Sequence, residues 1–234
     1  MKTLTVYLIL LCCSSLPIFG QSVKAEFSMT QNSYSMSDLK AYQNHVRIYQ
    51  NSYMKIVDNF PDYFGYSVTV MKSIRPGLYA GFVYGRLSTG GKMAYSDYSG
   101  SAAEYLNLTS NAFGLAVSYD VFKISWFKLQ LSLHAVKKWS KLSWKRTFRV
   151  WDEVEEEKYH WNSEGWGLEP RAGIMVRVIN HLDVGLLAGY HADSNTAFTR
   201  HSSTLQIAMF QYYRRYIKPQ WNGIRLGAMV SVGF

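Results

Sequence analysis

The last twelve residues of the chain alternate between apolar and small or polar side chains. Ile224, Leu226, Ala228, Val230, Val232 and Phe234 occupy every second position. The positions between them carry Gly, Arg, Gly, Met, Ser and Gly. Because successive side chains of a β-strand point to opposite faces, this pattern predicts a strand with one apolar face and one small or polar face.

Seven further stretches show the same period of two. They lie at 64–70, 78–84, 113–119, 129–135, 168–178, 184–190 and 205–209. With the terminal stretch they predict eight strands, each close to the ~10 residues that cross a bilayer as part of a barrel. A membrane-spanning sheet must close on itself, because lipid offers no water to the open edge of a sheet. The pattern therefore predicts an all-β transmembrane fold, an antiparallel barrel of about eight strands with ten possible.

Residues 35–60 follow a helical period instead. Apolar and aromatic residues recur there at spacings of three and four, which is typical of an amphipathic helix. Ser35 and Asp38 resemble a capping box, and Pro61 ends the pattern. We therefore predict a helix over about 37–58.

This helix divides the chain into three predicted parts. A signal peptide takes up 1–20, a periplasmic or plug segment 21–60 carries the helix, and the barrel occupies 61–234. Residues 21–34 are predicted to be a polar periplasmic lead. The helix either closes the periplasmic end of the barrel or lies on the membrane surface, or else it plugs the lumen.

The signal peptide is predicted from a positive Lys2, an apolar run over 6–13 and the small residues that follow. Cleavage suits residue 20 and also a site as late as residue 25. Both cysteines, Cys12 and Cys13, lie in this segment, so the mature chain has no thiol for catalysis or a disulfide. Export through the secretory pathway to the outer membrane of a Gram-negative cell is the predicted localisation.

The links between the predicted strands are of two kinds. Those at 72–76, 121–126 and 179–182 are short, whereas those at 87–110, 138–163 and 191–203 are long and polar. Bacterial barrels place short turns in the periplasm and long loops outside. With that assignment the eighth strand ends outside, although a C-terminal strand read by the insertion machinery should end in the periplasm. Either one strand is miscounted around 195–221, or the two sides are reversed.

Charge and aromatic content fit a membrane setting. The chain has 25 Lys and Arg against 16 Asp and Glu, a formal net charge of +9. An exported basic chain is expected to meet outer-membrane lipid and acidic lipopolysaccharide rather than nucleic acid. The 18 Tyr, 12 Phe and 7 Trp are enough for an aromatic girdle at each membrane interface.

Three motifs resemble a known family. The stretch 85–100 reads GRLSTGGKMAYSDYSG, 221–227 reads WNGIRLG, and Asn59-Phe60-Pro61 precedes the first predicted strand. From about Asn59 to Phe234 the chain resembles the outer-membrane β-barrel or porin-like proteins of Bacteroidetes, most of them uncharacterised. A Trp-Ser-Gly is expected where this chain has Trp-Asn-Gly. The aromatic C-terminus likewise resembles that of bacterial outer-membrane barrels, which implies that Phe234 is a membrane-insertion signal. The resemblance implies fold and location and no catalytic residue.

The inward face of the predicted strands carries five charged residues. These are Asp120, Glu169, Arg171, Arg177 and Arg225. A charge buried in a narrow lumen needs a partner, so we predict a network of salt bridges and hydrogen bonds that largely fills the barrel. No cofactor is expected, because the histidines have no metal-ligand spacing and the glycine pairs have no phosphate-loop context.

A minority hypothesis assigns catalysis to Ser132, His134 and Glu169. If the 138–163 link closes a symmetric hairpin, positions summing to about 301 pair, which places Glu169 opposite Ser132. Such a set can activate a serine nucleophile. It is similar in this respect to the outer-membrane lipid A deacylases, whose motif has the histidine before the serine on the lipid-facing wall.

The sequence thus predicts a small outer-membrane barrel with a narrow polar lumen and a structural, surface-interaction or limited porin-like role. One alternative is the lipid-modifying hydrolase described above. Another is a subunit of a larger envelope assembly, for which the N-terminal helix would be the docking element.

Overall fold

The computed structural model describes residues 23–49, 54–151, 153–200, 203–204, 206–210 and 213–234. Nearly all of these residues lie in antiparallel strands. The elements are β1 (Val23–Asn32), α1 (Ser37–Tyr49), β2 (Lys55–Asn59), β3 (Tyr63–Arg75), β4 (Leu78–Ser96), β5 (Gly100–Lys123), β6 (Phe127–Val150), β7 (Glu153–Ile179), β8 (Leu182–Asn195), β9 (Thr199–Arg200), β10 (Ser203–Thr204), β11 (Gln206–Phe210), β12 (Tyr213–Tyr216) and β13 (Gly223–Gly233). The signal peptide predicted at 1–20 lies outside the described residues.

Eight of the strands close into a ring. Its order is β1-β3-β4-β5-β6-β7-β8-β13, and β13 pairs back onto β1 from Arg225↔Asn32 to Gly233↔Lys24. Every pairing around the ring is antiparallel. The predicted fold class, an antiparallel barrel of eight strands with a helix near the N-terminus, is therefore confirmed.

The first strand of the ring lies in the stretch that we interpreted as a polar lead. In β1, Phe27 and Met29 face outward, and the polar side chains between them are buried. The lead at 21–34 and the barrel boundary at 61 were therefore wrong. The stripe predicted at 205–209 instead overlaps β11, which pairs with β12 in a separate two-stranded sheet. The number eight was right because these two errors cancel.

The corrected set of ring strands also determines which end of the barrel holds the C-terminus. The short links at 76–77, 124–126 and 180–181 share one end, here called the turn end. The amide of Phe234 donates to the carbonyl of Val23 at 2.8 Å, and that of Gly233 to the carbonyl of His181 at 2.9 Å. The C-terminus therefore lies at the turn end, and the conflict between the two assignments arose from a miscounted strand near 195–221.

Four strands continue far beyond the length that a membrane needs. β4, β5, β6 and β7 have 19, 24, 24 and 27 residues, against the ~10 that span a bilayer. β4 and β5 stay paired up to Ser96↔Ser101, and β6 and β7 up to Val150↔Glu153. The predicted loops at 87–110 and 138–163 are thus paired strands, and we call this projecting wall the extension.

Side chains fix the register of the extension. At the β4–β5 tip, Asp97 accepts hydrogen bonds from the Ser99 amide at 2.8 Å and the Gly100 amide at 3.1 Å. The Tyr95 hydroxyl and Ser99 lower the pKa of Asp97 to about 2. Between β6 and β7, Lys145 pairs with Glu156 at 2.7 Å across the strands. Because water screens such exposed pairs, they favour one register more than they add stability.

Large apolar side chains face outward around the whole ring. They include Phe27, Met29, Phe64, Val68, Phe82, Phe113, Leu115, Leu131, Leu133, Ile174, Val176, Val184, Leu186, Ile224 and Leu226. Trp126 lies at the turn end of this band, and Trp139 and Trp166 lie at its other edge. A band of this kind is what lipid hydrocarbon covers in outer-membrane barrels. Among the described residues, none of the helical structure is long and apolar enough to cross a membrane.

The helix lies at the end of the barrel opposite the short turns. It ends at Tyr49 rather than near 58, and Lys55–Asn59 forms β2, which pairs with β4. The hydroxyl of Ser37 donates to Oε1 of Gln220 at 2.7 Å, and the amide of Asp38 donates to the same oxygen at 3.1 Å. The predicted capping by Ser35 is therefore replaced by a side chain distant in sequence.

The apolar face of the helix packs against the inner face of the extension. Together they form one buried cluster, here called the plug core: Tyr34, Met36, Leu39, Tyr42, Val46, Phe60, Leu87, Met93, Leu106, Leu108, Leu142, Phe198, Ile217 and Trp221. Gly91 permits this contact, because a Cβ there would lie 2.8 Å from the Phe60 ring. The helix thus closes the extension end of the barrel, which is the plug alternative.

Candidate functional site

Charged side chains on the inward face of the spanning strands meet in the lumen around Glu169. Its Oε1 accepts a hydrogen bond from Nε of Arg171 at 2.6 Å. Its Oε2 contacts Nη1 of Arg225 at 2.6 Å and Nδ1 of His191 at 2.9 Å. The three partners lie on β7, β13 and β8, and all of these side chains are at most 9% exposed. One carboxylate therefore ties together three strands of the barrel.

His191 links this carboxylate to a second ion pair. Nζ of Lys138 lies 3.1 Å from Nε2 of His191 and 2.5 Å from Oδ2 of Asp193. An ammonium can only donate, so Nε2 of His191 accepts a hydrogen bond from Lys138. The proton of the ring is therefore on Nδ1, which donates a hydrogen bond to Glu169. His191 is thus the neutral tautomer. We call Lys138, Glu169, Arg171, His191, Asp193 and Arg225 the lumen cluster.

A second layer of ion pairs crosses the lumen nearer the turn end. Nζ of Lys24 contacts Oε1 of Glu26 at 2.5 Å and donates to Oε1 of Gln130 at 2.7 Å. Lys128 pairs with Asp183 at 2.8 Å. Because Gln130 lies on β6 and Lys24 on β1, their contact bridges opposite walls and shows how narrow the lumen is. Side chains, rather than open solvent, occupy the lumen at this level.

The structure separates the five charged residues that we predicted to form one network. Glu169, Arg171 and Arg225 come together in the lumen cluster. Arg177 lies instead near the turn end, partly exposed, and pairs with Asp183 at 3.3 Å. Asp120 lines an open vestibule of about 250 Å³ at that end. The interior is thus charged at two separate levels.

The hydrolase hypothesis placed Glu169 opposite Ser132, and this register was wrong by two residues. Glu169 pairs with His134, and Ser132 pairs with Arg171. Both ring nitrogens of His134 are buried without a hydrogen-bond partner. The described structure therefore does not join Ser132, His134 and Glu169 into the hydrogen-bonded set that activates a serine.

We expect the substitution Ser132→Ala to leave the lipid A and phospholipid patterns of a host cell identical to those of cells with the wild-type barrel. The physical reason is that the Ser132 side chain points inward, away from lipid, and that neither ring nitrogen of His134 makes a hydrogen bond that could activate it. Mass spectrometry of extracted lipids measures this. Acyl chains removed by the wild type and retained with the variant would restore the hydrolase hypothesis.

Besides the two layers of ion pairs in the lumen, a cluster of polar side chains lies in the extension, outside the apolar band, and anchors the helix there. The hydroxyl of Tyr42 donates to Oε1 of Glu104 at 2.7 Å, and Nε of Arg146 lies 3.5 Å from Oε2 of Glu104. Burial raises the pKa of the Glu104 carboxyl, although Tyr42 and Arg146 oppose this change. Burial and the neighbouring Glu104 charge raise the pKa of Tyr42 well above its usual range, so its hydroxyl remains a donor.

Half of the lumen cluster was not predicted from the sequence. Lys138, His191 and Asp193 were assigned to loops, and Lys24 and Glu26 to the polar lead, yet all five lie on strands. The signal that would have found them is the period of two. His191 and Asp193 continue the inward parity of β8, and Lys24 and Glu26 alternate with Ala25 and Phe27.

The remaining histidines that the structure describes form no metal site. His160 lies on β7 and His181 in a short turn, while His201 lies outside the described residues. Within the part of the chain that the structure describes, no group of three or more His, Cys, Asp or Glu is placed to hold a metal ion. The expectation of no cofactor stays a prediction.

Comparison with known proteins gives a broad likeness and no family. No protein-family model matches the chain, and no curated protein does so. The fold is similar to Neisserial surface protein A (14% identity, 92% of this chain and 98% of the other, TM-score 0.44). It is also similar to Ail, the attachment invasion locus protein of Yersinia pestis, in complex with the heparin analogue sucrose octasulfate (7%, 92% and 100%, TM-score 0.36). The outer membrane protease OmpT from Escherichia coli is a third such structure (11%, 93% and 99%, TM-score 0.40). These neighbours are outer-membrane β-barrel proteins, and identities this low transfer no residue role, ligand or activity to this chain.

Proposed function

We propose that this protein is a closed outer-membrane barrel that presents a rigid extracellular wall for surface interaction and does not conduct solutes. The observation that carries this proposal is the double closure of its interior. The lumen cluster and the ion pairs beneath it fill the spanning part, and the plug core fills the extension. A solute would have to displace both layers to pass. This favours the structural and surface-interaction role over the porin-like one.

The outer-membrane location rests on the outward surface. A continuous band of exposed apolar side chains on eight strands is incompatible with water and suits lipid hydrocarbon. The short turns share one end, and this supports a topology with that end in the periplasm and the extension outside the cell. The motif resemblance to Bacteroidetes barrels agrees with this location and stays a prediction.

The mature wild-type protein is expected to give no stable conductance steps in a planar bilayer, because charged and apolar side chains obstruct the lumen at two levels. Refolded protein that shows a heat-modifiable gel shift is the sample, and a known porin prepared in the same way is the control. Arg171→Ala is measured beside it. Stable steps from the wild type that change with Arg171→Ala would contradict a closed barrel and establish a charged aqueous path.

Single-cysteine labelling is expected to place the extension outside the cell. The only cysteines are Cys12 and Cys13 in the predicted signal peptide, so an introduced cysteine is unique in the mature chain. Tyr98→Cys, at a tip where the side chain is 99% exposed, should react with a membrane-impermeant maleimide on intact cells. Asn180→Cys, in an exposed turn at the other end, should react only after lysis. The reverse result would mean that the barrel is inserted the other way.

The assembly-subunit alternative needs a docking element other than the helix. Leu39, Tyr42 and Val46 are all buried in the plug core, so the apolar face of α1 is already covered by its own barrel. A partner would have to bind the outer faces of the extension, which is also where surface interaction is proposed.

A further inference from the structure

A small cavity of about 30 Å³ lies in the lumen beside the lumen cluster. Its polar lining includes Thr30, Ser67, His134, Lys138, Glu169, Arg171, His191 and Arg225. This volume suffices for one water molecule or one halide ion. The cavity belongs to the spanning part of the barrel, below the plug core.

Two donors that line this cavity lack an acceptor. Nη1 of Arg225 is bound to Glu169, but Nη2 of the same guanidinium is buried with no hydrogen-bond partner. Both ring nitrogens of His134 are buried without a partner as well, and the His134 residue is 2% exposed. A buried donor without an acceptor costs free energy, and the cost is largest when the donor belongs to a charged group. A species that accepts hydrogen bonds therefore fits between them.

The charges around the cavity do not balance. The lumen cluster holds three cations, Lys138, Arg171 and Arg225, against two carboxylates, Glu169 and Asp193. His191 is neutral because of the hydrogen bonds that it makes. Nearer the turn end, Lys24 pairs with Glu26, and Asp183 pairs with Lys128 and Arg177, while Asp120 and Lys123 line the open vestibule there. The lumen cluster itself thus carries one unit of excess positive charge.

We propose that this cavity is a binding site for a small monovalent anion, chloride or another halide. The anion accepts hydrogen bonds from Nη2 of Arg225 and from the ring N–H of His134, and it neutralises the excess charge of the lumen cluster. Water accepts the same hydrogen bonds but leaves that charge uncompensated in a site of low dielectric. The anion is therefore a structural component of the closed lumen, and its presence does not depend on whether the barrel conducts.

Bromide identifies the site in the wild-type protein. Crystals grown with bromide in place of chloride are expected to show an anomalous peak within hydrogen-bond distance of Nη2 of Arg225 and the His134 ring. In solution, replacing chloride by gluconate at constant ionic strength is expected to lower the melting temperature by about 2–4 °C, since gluconate is too large for the cavity. A density with no anomalous signal, or equal melting temperatures, would leave only a water there and overturn the proposal. A peak in the crystal without a solution effect would mean binding at crystal concentration only, which overturns it too.

Variants separate the anion site from general salt effects. Arg225→Gln removes both the unpartnered donor and the excess charge, and His134→Leu removes the second donor alone, so each should abolish or reduce the difference between chloride and gluconate. Arg177→Gln is the matched control, because it removes one lumen cation outside the cavity and should preserve the difference. If Arg225→Gln fails to fold, His134→Leu and the wild-type measurements still decide. Conductance is recorded on the same samples, so a conducting barrel that binds halide refutes only the proposed function.

Discussion

Replacing Glu169 by glutamine is expected to destabilise the folded barrel by about 3–5 kcal/mol, the usual cost of removing one partner from a buried ion pair. The variant leaves the guanidinium groups of Arg171 and Arg225 without a counter-charge, and its amide cannot accept all three hydrogen bonds that the two carboxylate oxygens now accept. The free energy of unfolding, measured by urea titration of the protein in vesicles, tests this. The heat-modifiable band on a gel should also be lost at a temperature lower by about 10 °C.

Glu164→Gln provides the matched control on the same strand. Glu164 pairs with Lys137 at 3.1 Å, but its side chain is 59% exposed, so its loss should change stability by about 1 kcal/mol or less. Equal effects of Glu164→Gln and Glu169→Gln would mean that the lumen cluster is solvated and the barrel is open. That outcome would remove the main support for the closed barrel.

The spanning strands could be predicted from the sequence because lipid imposes a simple rule on them. Each has apolar residues outward and small or polar residues inward, as in Leu131 and Leu133 against Gln130 and Ser132. The inward charges follow from the same parity, so Glu169, Arg171 and Arg225 could be placed in the lumen. Their partners could not, because register depends on where a hairpin turns. An error of two residues moved Glu169 from His134 to Ser132.

The extension was not predicted because its alternation is reversed. In β5, Phe113 and Leu115 face outward in the band, whereas Leu106 and Leu108 face inward in the plug core. In β6, Leu131 and Leu133 are outward, but Leu142 is inward. In the extension, water covers the outer face and the helix covers the inner face. The apolar residues therefore move from the outward-facing to the inward-facing positions where a strand leaves the membrane. A search for one apolar face along the whole strand therefore ends at this point and predicts a loop.

The first strand was missed for a related reason. β1 has only ten residues, and its buried face carries Lys24, Glu26, Ser28, Thr30 and Asn32, so its mean composition is polar. Its place in the barrel depends on contacts with distant residues, such as the Ser28 hydroxyl with that of Ser67 at 2.7 Å and the Lys24 ammonium with Gln130. Cleavage of the predicted signal peptide after residue 20 would leave this strand whole. Cleavage after residue 25 would remove its first three residues.

The closing pair of the ring supplies the second large expected effect. Gly227→Ala should prevent β13 from pairing with β1, because a Cβ at Gly227 would overlap the carbonyl oxygen of Met29 and lie 2.7 Å from Cα of Thr30. Both are backbone atoms of the neighbouring strand, which cannot rotate away as a side chain can. Separating the two strands exposes unpaired amides and carbonyls to lipid, so we expect a loss of more than ~3 kcal/mol and little heat-modifiable protein after refolding.

Gly233→Ala, six residues further along the same strand, distinguishes this steric effect from a general intolerance of β13 to substitution. A Cβ at Gly233 meets nothing within 4 Å, so this variant should refold with the wild-type yield. The refolded fraction of the two variants and the wild type, read from the gel shift in one lipid preparation, makes the comparison. Normal refolding of Gly227→Ala would mean that β1 and β13 pair more loosely than described here, and that the ring closes without the close approach of their backbones. Failure of both variants would instead show that β13 accepts no added methyl group on its inward face, whatever the space beside it.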